Sequence, residues 1–158
     1  MTAPAATNHA AGHYRSKTLA TWIAVVGGTL GLHRFYVHGL RDIAGWLHPL
    51  PTFAGLLGLQ RIQQFGQDDR LAWVLVPLLG LSVSAAMLHA IVTGLTPDEK
   101  WNARENADAP PCGPAGWAVV IGVILALLLG ATALMSTLTY GIQRFVEVQV
   151  EAAREISQ

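Results

Sequence analysis

The stretch Gly27-Gly28-Thr29-Leu30-Gly31-Leu32-His33-Arg34-Phe35-Tyr36-Val37-His38-Gly39-Leu40-Arg41-Asp42 sets the fold class. A glycine-laced apolar run ends in a cluster of histidine, arginine and aromatic residues. That is the composition of a membrane span reaching the water interface, where amphipathic rings and long cations settle. The whole chain agrees. Of 158 residues, 52% are hydrophobic and 13% charged, and the mean hydropathy is +0.40. A soluble surface ordinarily carries roughly twice that charge. Ten basic residues balance ten acidic ones, so no excess of positive charge points to a nucleic-acid partner. Cys112 is the single cysteine, which excludes an internal disulfide and a cysteine-based zinc site.

Outward from that stretch, residues 1–16 read as a flexible polar tail. The first span runs from Leu19 to Leu32 and reaches Val37 if His33 and Arg34 lie at the interface. No small-residue cleavage site follows it, so it reads as an uncleaved span and not a signal peptide. Ile43 to Leu59 is apolar but interrupted by His48-Pro49-Leu50-Pro51, where a helix cannot continue. A helix–break–helix is expected, Ile43 to His48 and Thr52 to Phe65, which either crosses or re-enters. Its second half has Leu56, Leu59, Ile62 and Phe65 on one apolar face. Asp68-Asp69 can cap a third span, Leu71 to Leu95, kinked at Pro77. Thr96-Pro97-Asp98-Glu99 reads as a capping box opening a short helix with Trp101 at the interface. The fourth span, Trp117 to Ile142, is uncharged, and residues 143–158 continue as an amphipathic helix.

The expected fold is therefore an all-α integral membrane protein with about four transmembrane helices, the second broken at Pro49/Pro51. The units are 1–16, 17–66, 67–95, 96–116, 117–142 and 143–158. Gly27 and Gly28 in the first span, and Ala118, Gly122, Ala126 and Gly130 in the last, form small-residue seams suited to close helix packing. With four spans and both termini cytoplasmic, Arg15, Lys17, Arg61, Arg70, Arg144 and Arg154 fall inside. Arg34, Arg41, Lys100 and Arg104 then fall outside, a weak positive-inside bias. Arginine outnumbers lysine, which suggests a GC-rich bacterial genome and hence a bacterial inner membrane.

Lys17, the apolar run, and Gly31-Leu32-His33-Arg34-Phe35-Tyr36 followed by Gly39 resemble the signature of the TM-two domain family, also called the two-transmembrane or NINE protein family. The likeness covers about Lys17 to Leu59. It implies a hairpin, 17–66, in a membrane protein with interaction or signalling roles and no agreed catalytic activity. The family's second span usually carries a tryptophan and an aspartate; the corresponding Gly55–Arg61 here has neither.

Candidate chemistry is sparse. His33, His38, His48 and His89 invite a metal or haem, since imidazole suits zinc, copper and iron. None of them shows the spacing of a metalloprotease motif, and no carboxylate accompanies them in a span. The expectation is no metal and no cofactor, with His33 and His38 at the interface and His48 and His89 bonded to neighbouring helices. Gly31, His33, Arg34, Phe35, Tyr36 and Gly39 form a motif for lipid or partner contact, or for plain anchoring, with Asp42 pairing to Arg34 or Arg41. Cys112, beside prolines, is a candidate thiol or a bystander. No hydrolase motif or phosphate-binding glycine loop is present. The expected function is non-enzymatic: helix packing with lipid around it, and a second copy or another membrane protein as partner. A small channel or transporter comes second, and a histidine-ligated metal or haem protein third.

Overall fold

A computed structural model describes residues 14–109 and 114–157. The expected tail before Tyr14 and Cys112 with its prolines lie outside the described residues. The described chain is all-helical: α1 (Lys17–Gly27), a 3-10 turn (Gly28–Leu30), α2 (Leu32–His38), α3 (Ile43–Leu47), α4 (Pro49–Phe65), α5 (Arg70–Leu95), α6 (Asp98–Glu105) and α7 (Trp117–Ile156). Two of these, α5 and α7, are long and apolar enough to cross a membrane. Local chemistry sets the starts. Ser16 Oγ accepts from the Leu19 N–H at the head of α1, and Asp42 and Asp69 cap α3 and α5 by accepting from Ala44 and Ala72.

α5 is the central helix and packs against α1, α4 and α7. What it buries is small: Ala24, Ala72, Ala86, Ala90 and Ala126 are fully enclosed. What faces outward is large: Phe53, Leu57, Leu88, Leu127 and Leu128 are all more than half exposed. A water-soluble fold does the reverse, because burying bulky apolar groups is its main driving force. Small residues inside and leucine outside is how helices pack when lipid is the solvent, since close backbone approach then supplies the gain. The seam in α7 is used within the chain: Gly122 faces Thr21 and Trp22 of α1, and Gly130 faces Met87 of α5. Ala126 lies fully buried between them in the sequence, while Ala118 is exposed and lends its carbonyl to the Trp22 indole, 3.1 Å. Gly28 rests on Ala86, and Gly27 meets Leu32 across the turn.

The first apolar segment does not run straight from Leu19 to Val37. It folds back. α1 is 11 residues, about 16 Å at a rise of about 1.5 Å per residue, against a hydrocarbon thickness of about 30 Å. At Gly28 it has reached only Ala86, mid-way along α5. The 3-10 turn and Gly31 (φ 76°) then reverse the chain. α2 climbs back until the Ser16 N–H donates to Tyr36 Oη, 2.8 Å, and Val37 packs with Ala20 and Trp101. The cause is the glycine content: no other residue adopts the Gly31 conformation at so little cost.

Other expectations shift in detail. The helix break falls at His48, one residue before Pro49, and both prolines occupy the first turn of α4, where missing N–H groups cost nothing. α4 turns Thr52, Gly55 and Gly58 inward, so of the expected stripe Leu56, Leu59 and Phe65 face away from the bundle and Ile62 is half-buried. A Cβ at Gly58 would come within 2.7 Å of the Val76 nitrogen, so only glycine permits this approach. The capping box is not formed: Thr96 Oγ1 donates back to Val92, 2.7 Å, and Pro97 occupies the cap position of α6. Trp101 does not stand free at the surface but is buried against the chain, its indole N–H donating to the Arg15 carbonyl, 2.9 Å. α7 is one helix of 40 residues, which merges the fourth span and the C-terminal amphipathic segment.

Candidate functional site

The fold-back concentrates the polar residues of the N-terminal half around α2. Helical spacing puts His33 and Val37 on the inward face and Arg34 toward the following loop. Arg34 Nε and Nη2 donate to the two carboxylate oxygens of Asp42, 2.6 and 3.3 Å. That guanidinium holds the Asp42 carboxyl below its ordinary value. Phe35 covers Gly45 and tilts against Trp46, ring centres 5.1 Å apart. Tyr36 closes the hairpin onto Ser16. Of the motif residues, then, Arg34, Phe35 and Tyr36 are engaged within the chain, and Gly31 and Gly39 (φ 79°) set its turns.

Lys17 anchors the same end. Its ammonium donates to the Thr96 carbonyl, 2.9 Å, and pairs with Asp98, 2.5 Å. Asp98 also accepts from the Ala115 N–H, 2.9 Å, so one carboxylate ties together α1, the end of α5, α6 and the approach to α7. Lys17 first, and Ala115 second, hold the Asp98 carboxyl below its ordinary value.

Deeper in the bundle, the non-helical backbone around Gly28–Gly31 is covered. Thr52 Oγ1 lies 2.8 Å from the Thr29 carbonyl and 2.6 Å from Ser82 Oγ, joining the 3-10 turn, α4 and α5. Broken backbone at depth requires such partners. Beside this joint the structure brings together three histidines that the sequence leaves apart. His33 from α2 is 1% exposed. Its ring centre lies 4.1 Å from that of His89 on α5 and 5.2 Å from that of His48 at the α3–α4 break. His48 Nδ1 is 2.7 Å from the Ala44 carbonyl; a carbonyl only accepts, so Nδ1 carries a hydrogen, and in the neutral ring the lone pair is on Nε2. Neither ring nitrogen of His33 has a hydrogen-bond partner. His38 is exposed.

The opposite end of the bundle repeats the Arg34–Asp42 geometry. Arg61 Nε and Nη2 donate to Asp69, 2.6 and 3.0 Å, and hold its carboxyl below its ordinary value. In both places the aspartate caps the next helix, a positive-φ glycine (Gly39, Gly66) ends the preceding one, and an indole N–H returns to a loop carbonyl. Trp46 donates to Leu40, 3.0 Å, and Trp73 to Gln67, 2.8 Å. The sequence explains this. Residues 28–46 and 55–73 align without a gap, with Gly28/Gly55, Leu30/Leu57, Gly31/Gly58, Leu32/Leu59, Arg34/Arg61, Gly39/Gly66, Asp42/Asp69 and Trp46/Trp73 identical. The chain carries one helix–turn–helix clamp twice, at opposite ends and so in opposite orientations. Comparing residues 27 apart exposes it in the bare sequence; reading each span by itself does not.

The comparisons with known proteins come out blank. No family model, curated protein or solved structure matches the chain.

Proposed function

We propose that the chain is a non-enzymatic, multi-pass helical membrane protein of the TM-two type, acting as an interaction or structural component. The observation that carries this is the inverted distribution of side chains, small residues enclosed and large apolar ones outward. In place of four full crossings, the reading has three, formed by α3 with α4, α5 and α7, beside a re-entrant α1–α2 hairpin. Ile43 to Phe65 provides 23 positions, long enough to cross once the break is absorbed. The bundle's internal seams are filled by the chain itself, so contact with a partner falls to the distal part of α7. There Phe145, Val146, Val150 and Ile156 stand exposed beyond Arg144, which is seated against Trp73 and Gln67.

Single cysteines in a Cys112→Ser background test both parts. Arg41→Cys and Asn102→Cys are expected to react with a membrane-impermeant maleimide from one side, Gln67→Cys and Val148→Cys from the other. The Val148 position is expected to crosslink in native membranes, to a second copy or to another membrane protein. Labelling of Arg41→Cys and Gln67→Cys from the same side would refute the three-crossing arrangement, and absence of any adduct along residues 145–156 the interaction role.

The inverted clamps favour a second reading, a small channel or transporter, because inverted repeats with broken helices are a transporter arrangement. On that reading, liposomes containing the protein are expected to leak protons or small cations several-fold faster than protein-free liposomes. Equal rates would remove it.

A further inference from the structure

We infer that His33, His48 and His89 form a binding site for one borderline divalent transition-metal ion, of the Zn2+ class. Three observations converge. First, His33 is enclosed with both ring nitrogens lacking a hydrogen-bond partner. Burying polar atoms without partners is costly, and in native proteins it calls for an explanation such as a bound ion. Second, His48 is set up as a ligand: its Nδ1–H is committed to the Ala44 carbonyl, which orients the ring and makes Nε2 the coordinating atom of the neutral ring. Metal-binding histidines are held in this way by an outer carbonyl or carboxylate. Third, the clamp does not need a histidine at position 33. Its second copy has Gln60 there, exposed, and keeps the same arginine, glycine, aspartate and tryptophan geometry. His33 is therefore an addition to the scaffold and not part of it.

One of the two ring spacings suits an ion as it stands. With metal–nitrogen bonds of about 2.0–2.1 Å and a tetrahedral angle, two imidazole centres on one ion lie roughly 5 Å apart. His33 and His48 stand at 5.2 Å. His33 and His89, at 4.1 Å, must open by roughly 1 Å to reach the same spacing. Among the described residues no group of three or more His, Cys, Asp or Glu stands ready to hold a metal ion, so binding requires the half-buried His89 ring to rotate toward the other two. Three neutral imidazoles with a fourth position open to water match a known zinc ligand set, and imidazole ligands fit Zn2+, Cu2+ and Ni2+ better than Mg2+ or Ca2+. The nearby Arg34 cation would oppose a metal dication, but it is paired with Asp42.

Titration of the purified full chain in detergent with Co2+, a visible stand-in for Zn2+, tests the site. The expected result is one equivalent per chain with tetrahedral-type visible absorption, displaced by Zn2+. His89→Gln and His48→Gln are each expected to weaken binding at least tenfold, while a His9→Gln/His13→Gln/His38→Gln chain binds as the wild type does. Because a variant at His33 risks misfolding, Zn2+-induced elevation of Tm in the wild type, absent in His89→Gln, serves as the second measurement. No visible bands, bands unchanged in His89→Gln, or bands lost in the triple variant would each overturn the proposal.

Discussion

Replacing Gly31 with alanine is expected to be the most damaging single-methyl change in the N-terminal half. Two costs add. The residue sits at φ 76°, ψ 9°, where a side chain costs about 1–2 kcal/mol. A Cβ there would also drive into the carbonyl of Gly45 and lie 3.2 Å from its Cα, so α3 would have to move away from the turn. Together these predict a loss of about 3 kcal/mol or more. Gly39→Ala is the matched control. Gly39 also has a positive φ, 79°, but open space where its Cβ would stand, so backbone strain alone acts. Thermal unfolding in detergent should rank Gly31→Ala well below Gly39→Ala, and both below wild type. Equal losses would show that the Gly31–Gly45 approach does not hold the fold-back.

The second large effect is expected at Asp98. Its partner Lys17 has a side chain only 9% exposed, whereas Asp98 retains 33% exposure. Asp98→Asn leaves a buried ammonium with the Thr96 carbonyl as its remaining named partner. Removing one member of a buried pair costs about 3–5 kcal/mol; contact of Asp98 with water brings the expectation to about 2 kcal/mol. Lys17→Met should cost less, because no buried charge is left behind. The double variant should recover part of the loss of Asp98→Asn, a coupling that a double-mutant cycle reads directly. The pH dependence follows from the depressed carboxyl. A group whose folded value is lowered contributes its stability in full above the unfolded value, here 3.8, and loses it as pH falls through the folded value. The Asp98 share of Tm should therefore be constant above about pH 5 and be lost below about pH 4, a difference that appears when the wild-type profile is compared with that of Asp98→Asn.

Much of the architecture is legible in the sequence because local rules govern it. Asp69 caps α5, Gly66 ends α4, and α5 and α7 each carry a long, predominantly apolar run. The reversal at Gly31 is not legible in the same way. Residues 19–37 have the length and hydropathy of a span, and only the docking of Gly28 on Ala86, nearly sixty positions later, stops α1 half-way. Trp101 is equally ambiguous: tryptophan suits an interface or a core, and the Arg15 carbonyl that decides between them lies 86 positions away. Histidines 33, 48 and 89 follow no spacing rule because α2, the α3–α4 break and α5 bring them together. Read as isolated residues, they call for hydrogen bonds to neighbours; assembled, two of them pack on a third whose nitrogens have none.

The fold-back also bears on the order of assembly. Each arginine–aspartate clamp closes across eight positions and can form as soon as its own segment has been made. The contacts that seat α1 are of another kind: Gly28 needs Ala86, and Lys17 needs Thr96 and Asp98. Loop closure over such separations comes after local pairing. The earliest of the described helices to leave the ribosome is thus docked only after α5 has been made. Until then the glycine-rich hairpin lacks the surface it packs on, and a chain cut before Thr96 would leave it so.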